Sequence, residues 1–134
     1  MRRSGPPQRI ATRIALTSVR PRELAALRES QNPQAQFLWA VLRDSFHYIA
    51  VHAQSIATTA RDIDFAIRWG YGWDEGPLEI WQAAGVQQVA AWIQADIDAG
   101  HTMSSAALPA WLKGVEAFHN NEGSLNFTTG NYDP

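Results

Sequence analysis

The sequence predicts an all-α protein built as a compact helical domain. An apolar stripe of helical period runs from Gln34 to about Ala57. Caps and breakers at Asn32–Pro33, Thr59, Gly70, Pro77, Gly85 and Gly100 cut the rest into short helix-sized pieces. No run of β-branched residues alternates with period two, so strands are not expected.

Residues 1–17 hold Gly5, Pro6 and Pro7 and lack a sustained apolar period, which predicts a flexible leader. A helical domain is expected over residues 18–118, followed by a linker or tail over 119–134. A short helix starts at Pro21, since proline suits a first helical turn and RELAALRES is rich in helix formers. Asn32 then caps a long amphipathic helix. Its stripe is Leu38, Val41, Leu42, Phe46, Ile49, Ala53 and Ile56, with Arg43, Asp44, His47 and Gln54 opposite. Thr59 and Asp62 have capping-box spacing and open a helix over about 60–69, on which Asp64 and Arg68 can pair. Gly70 is expected to end it in the left-handed conformation. Pro77 and Glu79 open the next helix, which ends at Gly85. Val86, Val89, Ala90, Ile93 and Ile97 stripe another, closed by Gly100, and a last short helix follows Pro109. The remainder, EGSLNFTTGNYDP, is turn chemistry with little to bury.

Of the 134 residues 46% are hydrophobic, enough for one core, and no stretch is long enough to span a membrane. The absence of cysteine removes disulfides, thiol nucleophiles and cysteine-ligated metals and fits a reducing, cytoplasmic setting. Net charge is −2, but Arg2, Arg3, Arg9, Arg13, Arg20 and Arg22 all precede the first acid, Glu23. An arginine-rich start fits a nucleic-acid arm, a transit peptide or a solvated extension. The acidic body argues against nucleic acid as a partner.

No complete catalytic set is visible. GYGWDEG has nearly the spacing of a dinucleotide loop, but a helical segment precedes it where that fingerprint needs a strand. His47 and His52 are rotated about 140° apart on a helix and cannot share one ion. His47 is read as facing outward beside Arg43 and Asp44, and His52 as a core-edge residue. His101 and His119 have no obvious partner. The acid pairs Asp62/Asp64, Asp74/Glu75 and Asp96/Asp98 point in divergent directions, and Ser45 lacks a nucleophile's context. Neither a catalytic residue, a metal ligand nor a cofactor-binding residue is therefore assigned. Six tryptophans suit a small aromatic core, but Trp39 and Trp92 lie off their stripes and are candidate interface residues.

The segment ARDIDFAIRWGYGWDEGPLEIWQAAG, residues 60–85, resembles the C-terminal helical domain of 3-hydroxyacyl-CoA dehydrogenases, of the 6-phosphogluconate dehydrogenase-like fold. Ile63–Asp64, Ala66, Gly70, Gly72, Gly76–Pro77, Leu78, Glu79 and Gly85 carry the resemblance, which extends over roughly residues 34–100. Its tryptophan-rich form looks like the second helical copy in long fatty-acid oxidation proteins, with the tail as a bridge toward a hydratase unit. The resemblance implies an accessory domain in fatty-acid β-oxidation, inactive alone, whose NAD and catalytic histidine–glutamate pair belong to a Rossmann domain of the same or another chain. It also implies acyl-CoA as substrate of the complete enzyme and a possible homodimer. The polar segment by which a first copy reaches substrate has no match, FLWAVLRD standing in its place. The alternatives are a non-catalytic helical interaction or oligomerisation module and a small acyl-ligand carrier.

Overall fold

The computed structural model describes residues 21–134, so the expected leader over 1–17 lies outside the described residues. Five helices come first: α1 (Pro21–Glu29), α2 (Pro33–Ile56), α3 (Ala60–Tyr71), α4 (Pro77–Ala84) and α5 (Val86–Asp98). A single 3-10 turn (Ala110–Leu112) and three short strands follow, β1 (His119–Asn120), β2 (Gly123–Leu125) and β3 (Tyr132–Asp133). The protein is mostly helical, as expected, with one small antiparallel sheet added in the order β1-β2-β3. β1 pairs His119 with Ser124, and β2 pairs Leu125 with Tyr132.

Local chemistry sets the helix ends. The Asn32 carboxamide oxygen accepts the N–H groups of Gln34 at 2.8 Å and Ala35 at 3.4 Å, filling two of the bonds a helix start leaves open. Thr59 and Asp62 form half of a capping box: Asp62 accepts the Thr59 N–H at 3.2 Å, while the buried Thr59 hydroxyl has no partner. At α4 the Glu79 carboxylate accepts the Gly76 N–H at 2.9 Å. Gly85, at φ 102°, ends α4 and starts α5.

The glycine that ends α3 is Gly72, at φ 68°, and not Gly70, which keeps helical backbone two residues earlier. Both glycines offer a left-handed stop, and packing of Trp73 against the core fixes the later one.

α4 is the hub, touching α1, α2, α3 and α5 although it has only 8 residues. Its Leu78, Ile80 and Trp81 are buried. Trp81 lies 5.2 Å from Phe46 of α2 and 5.1 Å from Phe118, and its indole N–H donates to the Val86 carbonyl at 3.0 Å. Trp111 continues the aromatic chain to Phe118 and to Phe127. Such ring contacts add to the burial energy of the rings themselves.

Three expectations fail, two of them because segments distant in sequence pack onto the helices. α2 is covered along a wider face than its apolar stripe, because the 100–111 segment packs beside it. Arg43 is buried and donates to the His101 carbonyl at 3.0 Å, and His47 is 1% exposed with Nε2 2.7 Å from the Ala106 carbonyl oxygen. His52, expected at the core edge, is exposed and meets the Tyr48 ring at 4.4 Å, tilted by 43°. Residues 119–134, expected as linker or tail, are packed on the helices: Leu125 and Phe127 are buried, as is Phe118 just before them. Gln82 clamps this segment, its carboxamide oxygen accepting the N–H groups of Phe118 and His119 and its amide donating to the His119 carbonyl. Gln54 holds the Phe127 carbonyl at 2.8 Å, and the Phe127 N–H donates to Thr58.

Candidate functional site

The densest polar constellation centres on Asp64, which α3 directs inward toward the start of α4. One carboxylate oxygen accepts the Leu78 N–H at 2.8 Å and the other lies 2.6 Å from His119 Nε2. His119 Nδ1 is 2.8 Å from the Ser124 hydroxyl, so an Asp64–His119–Ser124 chain joins α3 to β1 and β2. Gly76 is buried against Asp64, and a Cβ at that position would overlap the Asp64 side chain. Glycine is therefore required here by close approach. Glu79 caps Gly76 and pairs with Arg68 at 3.7 Å.

This overturns two sequence expectations. Asp64 does not pair with Arg68, which turns to Glu79, and His119 does have a partner. With Asp64 1% exposed, an ion pair with Arg68 on the helix surface is geometrically impossible. The partnership of His119 with Asp64 spans 55 positions and leaves no local signal in one sequence.

Burial raises the Asp64 pKa above its ordinary value of 3.8. The His119 side chain and the Leu78 N–H oppose that rise, and nearby Glu79 adds to it. The residue types are those of a hydroxyl-activating relay, but the order and access differ. The Asp meets Nε2 and the Ser meets Nδ1, and Ser124 is 6% exposed, its hydroxyl engaged within the sheet. The arrangement closes the C-terminal segment over the α3–α4 corner and acts as a latch.

A second buried cluster ties α1, α2 and α5. The Trp39 indole donates to Asp96 at 2.8 Å, with Arg43 and Arg28 at 3.4 and 3.6 Å from the same carboxylate. Arg28 also lies over the Trp92 ring at 5.6 Å, and Trp92 meets Trp39 edge-on at 6.0 Å. Trp39 is thus buried within the chain by its own contacts, while Trp92 is half-buried beside it. The exposed aromatics are elsewhere, on α3 and α2: Trp69, Tyr71, Phe65, Phe37 and Tyr48.

The glycine loop does not fit a dinucleotide. A pyrophosphate would need the free N–H groups at the start of α4, but carboxylates of Glu79 and Asp64 already hold those of Gly76 and Leu78. Gly72 ends a helix and Gly76 makes room for Asp64. Among the described residues no group of three or more His, Cys, Asp or Glu side chains could hold a metal ion. An open groove of about 640 Å³ runs beside Trp111, Phe127 and Tyr132, with Lys113, Glu116 and Gln54 at its walls. A smaller one of about 310 Å³ lies by Asp44, His47, Tyr48, His52 and Met103. No described helix is long and apolar enough to cross a membrane.

No protein-family model matches the chain. No solved structure matches it either. Among curated proteins it is similar to a probable 3-hydroxyacyl-CoA dehydrogenase of Bacillus subtilis (strain 168), with 30% identity over 110 residues. That match takes in 78% of this chain but only 13% of the relative's length. A match covering 78% of the chain includes positions 64–85 wherever it begins, and so includes the Asp64–Gly76–Glu79 corner.

Proposed function

We propose that this chain is an accessory helical domain of a 3-hydroxyacyl-CoA dehydrogenase acting in fatty-acid oxidation. It carries no NAD site of its own and depends on a Rossmann domain, in the same or another chain, for hydride transfer. The observation that carries the reading is the α3–α4 corner: Asp64, Gly76, Pro77 and Glu79, on which the resemblance rests, hold the corner's fold together. NAD, when bound in the complete enzyme, would accept the hydride there. This chain's part is packing surface, and the groove beside Trp111 and Phe127, with Lys113 at its wall, is its proposed share of an acyl-CoA path.

The test is a chimaera in which this chain replaces the matching segment of the Bacillus relative. NADH formation from a 3-hydroxyacyl-CoA is expected to survive the exchange. A folded chimaera without activity would overturn the domain assignment. NADH formation by the isolated chain would overturn the dependence on a Rossmann domain. Quenching of Trp111 fluorescence by acyl-CoA, lost in Lys113→Glu, is expected of the groove.

A stand-alone interaction module is the second reading. It is favoured by Trp69, 80% exposed on α3 with Phe65 and Tyr71 exposed on the same helix.

A further inference from the structure

The segment after α5 is fastened to α2 at three points. Arg43 donates to the His101 carbonyl at 3.0 Å, Asp44 accepts the Met103 N–H at 3.3 Å, and the Ala106 carbonyl oxygen lies 2.7 Å from His47 Nε2. Ser104 shapes the turn between them, its hydroxyl accepting the Ala106 N–H at 3.1 Å. Between this strap and α2 lies the cavity of about 310 Å³, with His47, Tyr48, Val51 and Met103 among its walls. The three anchors preform it, as small-molecule sites usually are.

A carbonyl oxygen only accepts, so His47 Nε2 carries a proton and, in the neutral ring, Nδ1 carries a lone pair. Among the described residues Nδ1 has no hydrogen-bond partner. It is also absent from the fully buried atoms left without one, which are Arg28 Nε and Thr59 Oγ1. Nδ1 therefore keeps an opening, and for a ring only 1% exposed that opening is the cavity His47 lines. A base is aimed into it.

The other walls set what can meet that base. Val51 and the Met103 thioether are apolar, and the Tyr48 ring, 61% exposed, stands at the rim with His52 behind it. Asp44 is the only carboxylate of the lining, and Arg43 holds both its oxygens, at 3.1 and 3.2 Å. The cavity thus offers ring and thioether contacts, one acceptor and a neutralised charge.

We propose that this cavity binds a small neutral aromatic molecule carrying one O–H or N–H donor, phenol-like or indole-like in class. The donor meets His47 Nδ1, and the ring lies among Tyr48, Val51 and Met103. At about 310 Å³ the cavity is at the lower end for ligand sites, which suits one ring or two fused rings. An aromatic acid is excluded, because its carboxylate would face an unprotonated nitrogen and Asp44. The site shares no lining residue with the groove beside Trp111 and does not rest on the dehydrogenase reading.

Phenol is the probe, titrated into isotope-labelled protein and followed in long-range proton–nitrogen spectra of the histidine rings. The His47 Nδ1 resonance is expected to shift saturably, as a nitrogen that gains a donor, with a dissociation constant on the order of 0.1–1 mM. Toluene, which keeps the ring and lacks the donor, is expected to bind about ten-fold more weakly or worse. In His47→Gln the amide nitrogen can still donate to the Ala106 carbonyl, so the strap keeps its anchor while the acceptor is lost. Tyr48→Ala changes an exposed position and takes away the rim, so it tests the site even where the first variant fails to fold. Each is expected to bind phenol about ten-fold more weakly. A His47 Nδ1 resonance that does not move at phenol concentrations well above that range overturns the proposal. Toluene binding as tight as phenol, or undiminished phenol binding by the folded variants, overturns it as well.

Discussion

Asp64 is the residue on which the corner turns, and its two oxygens do different work. Asp64→Ala leaves the buried Leu78 N–H without its acceptor and is expected to cost about 2–3 kcal/mol in urea unfolding. Asp64→Asn keeps an acceptor for that N–H and isolates the charge. Because the folded state holds the Asp64 proton more tightly than the unfolded chain, this group's contribution is full below pH 3.8 and is lost as pH rises through the raised folded value. The wild type is therefore expected to lose stability relative to Asp64→Asn as pH rises from acid to neutral. A relative gain would mean that an ionic pair with His119 outweighs the cost of burial. The two glycines expected to differ are Gly70 and Gly72. Gly72→Val places a β-branched residue at φ 68° and is expected to cost about 1–3 kcal/mol, whereas Gly70→Ala should raise stability by roughly 0.5–1 kcal/mol. Thermal unfolding of both decides it.

At the scale of elements, what was legible in the sequence is what neighbours decide. Asn32 caps residues two and three positions away, Asp62 reaches back three to Thr59, and Glu79 reaches back three to Gly76. Each such bond appears in a sequence as a spacing. The missed contacts have partners far away along the chain: Gln82 with His119, His47 with Ala106, Gln54 with Phe127. A wheel drawn for α2 alone could not show that the 100–111 segment covers Arg43 and His47. The same limit hid β1–β3, whose strands are 2 or 3 residues long and carry no period. α4 shows how much a short helix can hold when its burial is complete. Trp81→Ala is expected to cost about 3–5 kcal/mol, because the ring is shared by Phe46 and Phe118 and the cavity cannot close. Urea denaturation measures it.

Across the whole molecule, the C-terminal segment completes the core. Ending the chain after Ala117 removes Phe118, Leu125 and Phe127 and uncovers Trp81 and Trp111. Such a truncation is expected to lose cooperative unfolding, seen as a broadened calorimetric transition; a sharp transition at the original temperature would show that the helices suffice. The candidate site was half legible on the same principle: the α3–α4 corner came from motif spacing, its closure by His119 did not. That closure also has a place in time. Asp64 and Leu78 are 14 positions apart, but Asp64 and His119 are 55 apart, so the latter contact must close a much longer loop before it yields anything. The helical corner is expected to form ahead of the barrier and the histidine contact after it. His119→Ala should accordingly leave the refolding rate nearly unchanged and quicken unfolding, which makes the latch a device for keeping the native state from opening.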